Sequence, residues 1–103
     1  MIKHIVLWTL KNRENQQSRE ATAAAIKEKI GGMRGRIPGL LHIEGGIDFT
    51  KSADSWDVAL YAELESREAL AGYHVHPAHE AFKEFKEFIG PSRQQRSLID
   101  YEV

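Results

Sequence analysis

Residues 40–64 read LLHIEGGIDFTKSADSWDVALYAEL. Leu40 to Asp48 has the pattern of a strand, with Leu41, Ile43 and Ile47 at alternating positions. Gly45-Gly46 inside it predicts a bulge or a close backbone approach. The polar run DFTKSADS is a loop. Trp56 to Leu64 alternates again: Trp56, Val58, Leu60, Ala62 and Leu64 share one face and Tyr61 lies on the other. Two strands with only a loop between them pair antiparallel, because a parallel pair needs a long crossover.

The flanking segments fix the rest of the order. Met1 to Leu10 is a strand with apolar residues on both faces: Ile2, Val6, Trp8 and Leu10 on one, Ile5 and Leu7 on the other. Ser18 to about Arg36 is a predicted helix, with Ala23, Ile26, Ile30 and Met33 on one face. Gly31, Gly32 and Gly35 weaken its end and Pro38-Gly39 stops it. After the central hairpin, Ser66 caps a short helix running through Tyr73. HPAHEAFKEFKEFIG, residues 76–90, then starts another, with His76 in the cap region, Pro77 at the first helical position and Phe82, Phe85 and Ile89 as its apolar stripe. Arg96 to Val103 is the last strand. The order β-α-β-β-α-β predicts one ferredoxin-like α+β domain over residues 1–103, a four-stranded antiparallel sheet with helices on one face. Helices on one face leave Ile5, Leu7 and their neighbours bare on the other. A symmetric homodimer, sheet against sheet, is the expected cover.

Composition narrows the function classes. The 103 residues contain no cysteine, which removes disulfides, thiolate metal sites and cysteine nucleophiles. The formal net charge is −1 with both signs mixed along the chain, so no basic stripe for nucleic acid is formed. The first apolar run is short, alternating and ends in charges, unlike a signal peptide. No run approaches the roughly 20 apolar residues that span a bilayer. The expectation is a cytoplasmic protein with no nucleic-acid or membrane partner, acting on a small molecule or on another protein.

The chemistry-bearing stretch is YHVHPAH, Tyr73–His79, which holds three of the five histidines. Near a helix N-terminus the dipole disfavours imidazolium, so His79 is predicted neutral and able to accept a proton as a general base. Equally, His76 and His79 could simply hold the turn through backbone hydrogen bonds. The Tyr73 hydroxyl could polarise a carbonyl oxygen, or its ring could plug the core. His4 stands on the otherwise apolar face of the first strand, as a satisfied core residue or as an orienting group. His74, next to Tyr73, is expected to face outward and be expendable. A transition metal needs three convergent ligands, and the proline between His76 and His79 makes shared coordination awkward. No metal and no cofactor are expected. Asp48 and Asp54 flank a loop that could hold a hard cation loosely, although a solvated loop fits as well.

MIKHIVLWTLK at the start, GGIDFT and ADSWDVALYAEL in the middle, and YHVHPAH late together resemble the stress-responsive dimeric α/β-barrel family. The resemblance covers the chain in order. It implies a ferredoxin-like protomer whose sheet meets a second protomer's to form a barrel. A plant branch of that family comprises olivetolic acid cyclase-like polyketide cyclases, which close a ring by a cofactor-free aldol step. The resemblance places their catalytic histidine at His79, their tyrosine at Tyr73 and their pocket-lining first-strand histidine at His4. A further pocket tyrosine of the cyclase first helix has no counterpart here, where that helix offers Ala23, Ile26 and Ile30. The sequence therefore leads to a stress-responsive homodimer with a small apolar pocket that binds or converts a small carbonyl, hydrophobic or phenolic molecule. His79 would be base, Tyr73 electrophile and His4 orienter. A purely structural homodimer is the alternative.

Overall fold

A computed structural model of the chain describes residues 1–10, 16–79 and 93–103. The elements are β1 (Ile2–Leu10), α1 (Gln16–Gly31), β2 (Leu40–Ile47), β3 (Val58–Leu64), α2 (Arg67–Val75) and β4 (Arg93–Glu102). All strand pairs are antiparallel and the sheet order is β2-β3-β1-β4. This is the ferredoxin-like α+β fold. The apolar stripe expected at Phe82, Phe85 and Ile89 lies outside the described residues.

Strand registers sort the side chains into rows. On the helix-facing side, Asp100, His4, Ala62 and Ile43 lie abreast, as do Leu98, Val6, Leu60 and Gly45. Ile2, Val6, Trp8, Leu10, Val58, Leu60, Ala62 and Leu64 are all buried there, joined by Ala23, Ile26 and Ile30 of α1. Packing apolar stripes together stabilises each large side chain by about 1.5–3 kcal/mol relative to exposure. Where Gly45 sits, a side chain would meet the helix: a Cβ would lie 3.1 Å from Lys27 Cα. Gly45 is thus the close approach and not the bulge. The irregularity in β2 falls instead between Leu40 and His42, which turns Leu41 outward at 54% exposure and breaks the expected alternation of Leu41 with Ile43.

Other boundaries shift for local reasons. The first helix ends at Gly31, five residues short of Arg36. From there the chain closes through i to i+3 bonds, Met33 N–H to Ile30 O and Arg34 N–H to Gly31 O, a tighter turn that the glycine pair favours. Met33 and Ile37 still enter the core from this turn. Gly39 has φ +79°, and a Cβ on it would stand 2.6 Å from Ala69 Cβ, so it fits the chain tightly against α2. The third strand begins at Val58, two residues later than expected, and the fourth at Arg93, three earlier. Asp57 is buried and accepts the Leu10 N–H at 2.7 Å, with Arg19 Nη1 at 3.7 Å. This ties α1 to the end of β1.

The opposite face carries three rows: Ser97, Leu7, Ala59 and Gly46; then Ile99, Ile5, Tyr61 and Glu44; then Tyr101, Lys3, Glu63 and His42. Ile99 is 56% and Tyr101 41% exposed. The apolar half of this face has no helix over it among the described elements. At the charged end, Tyr61 Oη donates to Glu63 at 2.6 Å, which pushes the phenol up to about 12. No helix among the described residues is long and apolar enough to cross a membrane.

Candidate functional site

Helix α2 brings the tyrosine of YHVHPAH against β1. Ser66 is its N-cap, in extended conformation, and the Ser66 hydroxyl accepts the Ala69 N–H at 3.1 Å. The helix runs to Val75, two residues past Tyr73, and His76 caps its C-terminus. His76 also starts the next turn: its Nδ1 accepts the Ala78 N–H at 3.0 Å. His76 therefore closes α2 through its backbone N–H, which donates to the Tyr73 carbonyl, and opens the helical turn 77–79 through its imidazole. That corner folds His79 back under α2.

The result is a cluster of rings over β1. The Tyr73 and His79 centroids are 4.4 Å apart, and His4 lies 5.5 Å from Tyr73. Tyr73, His4 and His79 are all buried. His79 Nδ1 donates to the His74 carbonyl at 3.1 Å. Because a carbonyl only accepts, this bond puts the neutral ring's proton on Nδ1 and makes Nε2 the acceptor. His4 Nδ1 likewise donates to the Asp100 carboxylate, its register partner on β4, which fixes the same tautomer.

Tyr73 Oη is buried and has no hydrogen-bond partner among the described residues. Burial pushes its pKa well above the usual phenol range. The Asp100 charge pushes the same way and Arg96 opposes it. The hydroxyl is held as a neutral donor with no acceptor among the described residues. A buried, unsatisfied hydroxyl costs about 1–3 kcal/mol.

The three sequence-predicted site residues His4, Tyr73 and His79 are therefore brought together. His74 was expected to face outward, and this is corrected. Its ring lies 5.4 Å from Tyr73 and 5.5 Å from both His4 and His79, half-buried within the cluster. The helix continues through it, and one more residue of helical rotation swings it toward β1 and not away. Asp100 escaped the sequence reading altogether. The signal was present in strand alternation, but linking Asp100 to His4 needs the β1–β4 register. Asp48 Oδ2 accepts the Lys51 N–H at 2.6 Å, which makes it a turn-forming residue. Among the described residues no three potential ligands gather for a metal ion.

The family model for the stress responsive A/B barrel domain (Dabb) matches residues 2–103. The chain belongs to this family. A search of curated proteins finds no match. Among solved structures, a dimeric ferredoxin-like protein from Bacteroides fragilis is similar at 26% identity and TM-score 0.84, covering 99% of this chain and 95% of that one. A Dabb protein from Mesorhizobium loti matches at 23% identity and TM-score 0.69, covering 99% and 95%. The hydroxynitrile lyase of Passiflora edulis matches at 20% identity and TM-score 0.69, covering 99% and 92%. The last two likenesses, below a quarter identity, speak for the shared fold alone.

Proposed function

We propose that this Dabb protein is a homodimer that binds a small carbonyl or phenolic molecule at the Tyr73 cluster and acts on it by cofactor-free acid–base chemistry. The observation that carries the reading is the buried Tyr73 hydroxyl, which lies between two imidazoles of defined tautomer and has no partner among the described residues. A carbonyl oxygen placed against Tyr73 Oη would satisfy the donor and be polarised by it. His79 Nε2 would take the proton from the neighbouring carbon, and His4, held by Asp100, would orient the bound molecule. The raised Tyr73 pKa suits this division of roles, because the phenol keeps its proton and acts as a donor. Dimerisation draws support from the bare Ile5, Leu7 and Ile99 face and from the dimeric Bacteroides fragilis relative.

The test needs no known substrate. Proton–deuterium exchange at the activated methylene of a simple β-diketone, followed by NMR in deuterated buffer, reports carbon-acid deprotonation directly. The wild type should accelerate it, and His79→Gln should lose on the order of 10²–10⁴ of that acceleration while remaining folded. A second reading, a structural homodimer without turnover, is favoured by one observation: His76 and His79 both spend Nδ1 on backbone groups that shape the corner. Exchange no faster than buffer, together with unfolding of His79→Gln, would select it.

A further inference from the structure

The helix-facing side of β4 presents Arg96, Leu98, Asp100 and Glu102 at alternating positions. Two of its three charged groups are committed. Asp100 holds His4, and Glu102 is held by Arg67 Nε at 3.1 Å and Nη2 at 3.0 Å. Arg96 is exposed and has no ion pair or side-chain hydrogen bond to any described residue. Leu98, between Arg96 and Asp100, is 45% exposed although it stands beside buried Val6. A guanidinium with no ion pair among the described residues, an exposed apolar step and an Asp–His pair thus follow one another along one strand face, at the edge of the Tyr73 cluster.

We propose that Arg96 anchors an anionic group of the ligand, so that the site takes a carboxylate-bearing carbonyl or phenolic compound. The inference rests on the functional reading above and adds the ligand's charge. Arg96 and Asp100 are four residues apart, about 13 Å between Cα atoms at the usual strand rise. The long Arg96 side chain can span much of that distance. What remains suits a short keto acid or a one-ring phenolic acid lying across Leu98, its carboxylate on the guanidinium fork and its oxygen at Tyr73 Oη. The Arg96 charge is felt at Tyr73, where it opposes the effect of Asp100. A neutral ligand would leave that field unused.

NMR titration of the full chain with 2-hydroxybenzoate and with 2-hydroxybenzamide tests this, following the His4 and His79 ring signals. The two probes differ in charge and little in shape. The wild type should bind the carboxylate roughly tenfold or more tightly than the amide, the range of a charge-assisted pair. Arg96→Met should erase that preference without changing amide affinity, and Tyr73→Phe should weaken both probes. Equal binding of the two by the wild type, or a preference that survives Arg96→Met, overturns the assignment of Arg96. If Tyr73→Phe still weakens binding in either case, the functional reading stands. Failure of both probes to move the ring signals overturns the inference together with the site.

Discussion

Tyr73→Phe should make the protein more stable. The substitution removes one oxygen from a fully buried ring and leaves the ring's packing against His4 and His79 in place. Losing a hydroxyl normally costs about 1 kcal/mol because a hydrogen bond goes with it. Here no bond is lost, since Tyr73 Oη has no partner among the described residues, whereas the unfolded chain gives up a well-hydrated hydroxyl. The about 1–3 kcal/mol penalty of burying that group unsatisfied is relieved, less the small void left behind. A net gain of about 1 kcal/mol is expected, or about 4–8 °C in Tm for a domain of this size. Thermal unfolding of both proteins at one fixed concentration measures it, concentration being held because association shifts Tm. Alkaline pH supplies an internal control. The folded pKa of Tyr73 lies above the unfolded value near 10, so its contribution is intact below about pH 10 and is lost as pH rises beyond it. Wild-type stability should therefore fall more steeply than that of Tyr73→Phe between pH 10 and 11. A Phe variant less stable by 1 kcal/mol or more would refute the reasoning, because it would mean that the hydroxyl is satisfied.

Gly39→Ala should cost about 2–4 kcal/mol in chemical denaturation, combining left-handed backbone strain with the clash on Ala69. Adding Ala69→Gly should recover the steric part and leave the strain. Leu7→Glu places a charge in the bare apolar face, so sedimentation should show a shift from dimer toward monomer while circular dichroism keeps the strand signal. Sedimentation of the wild type at the 11.7 kDa chain mass would remove the dimer from the argument.

Most of the architecture was legible because it rests on periodicity. β1 alternates up to Trp8 and β3 throughout, and the side chains expected on their core face are the buried ones except Trp56, which precedes β3 and is only half-buried. Ser66 and Gly39 announce boundaries by their local chemistry. The misreadings come from effects that periodicity does not carry. In β2 the bulge near Leu40 resets the alternation, and nothing in the Leu-Leu-His triplet marks the slip. Gly31 and Gly32 ended α1 early although Met33 keeps the apolar spacing, because the following turn delivers Met33 to the core by a different backbone path. At the site, Tyr73 and His79 were visible as a motif and His4 as an anomaly on an apolar face. Asp100 was invisible because its meaning comes from a strand nearly the whole chain away. His74 was misplaced because α2 extends beyond the residue where it was expected to stop.

The pairing of β1 with β4 joins residues separated by as many as 100 positions, from Ile2 to Glu102, whereas β2 and β3 are neighbours in sequence. Closing the longer loop carries the larger entropic cost, so the central hairpin with α1 should organise first and β4 dock late. During synthesis His4 emerges 96 residues ahead of its carboxylate partner, and the row holding Arg96 forms only once β4 has followed. The imidazole must therefore wait in a nascent sheet with an open edge beside β1, and the chemistry-bearing cluster is completed by the same event that seals that edge. A slow or faulty docking of β4 would leave an intermediate lacking the His4–Asp100 pair whose β1 edge can recruit another chain, which couples completion of the ring cluster to protection from aggregation.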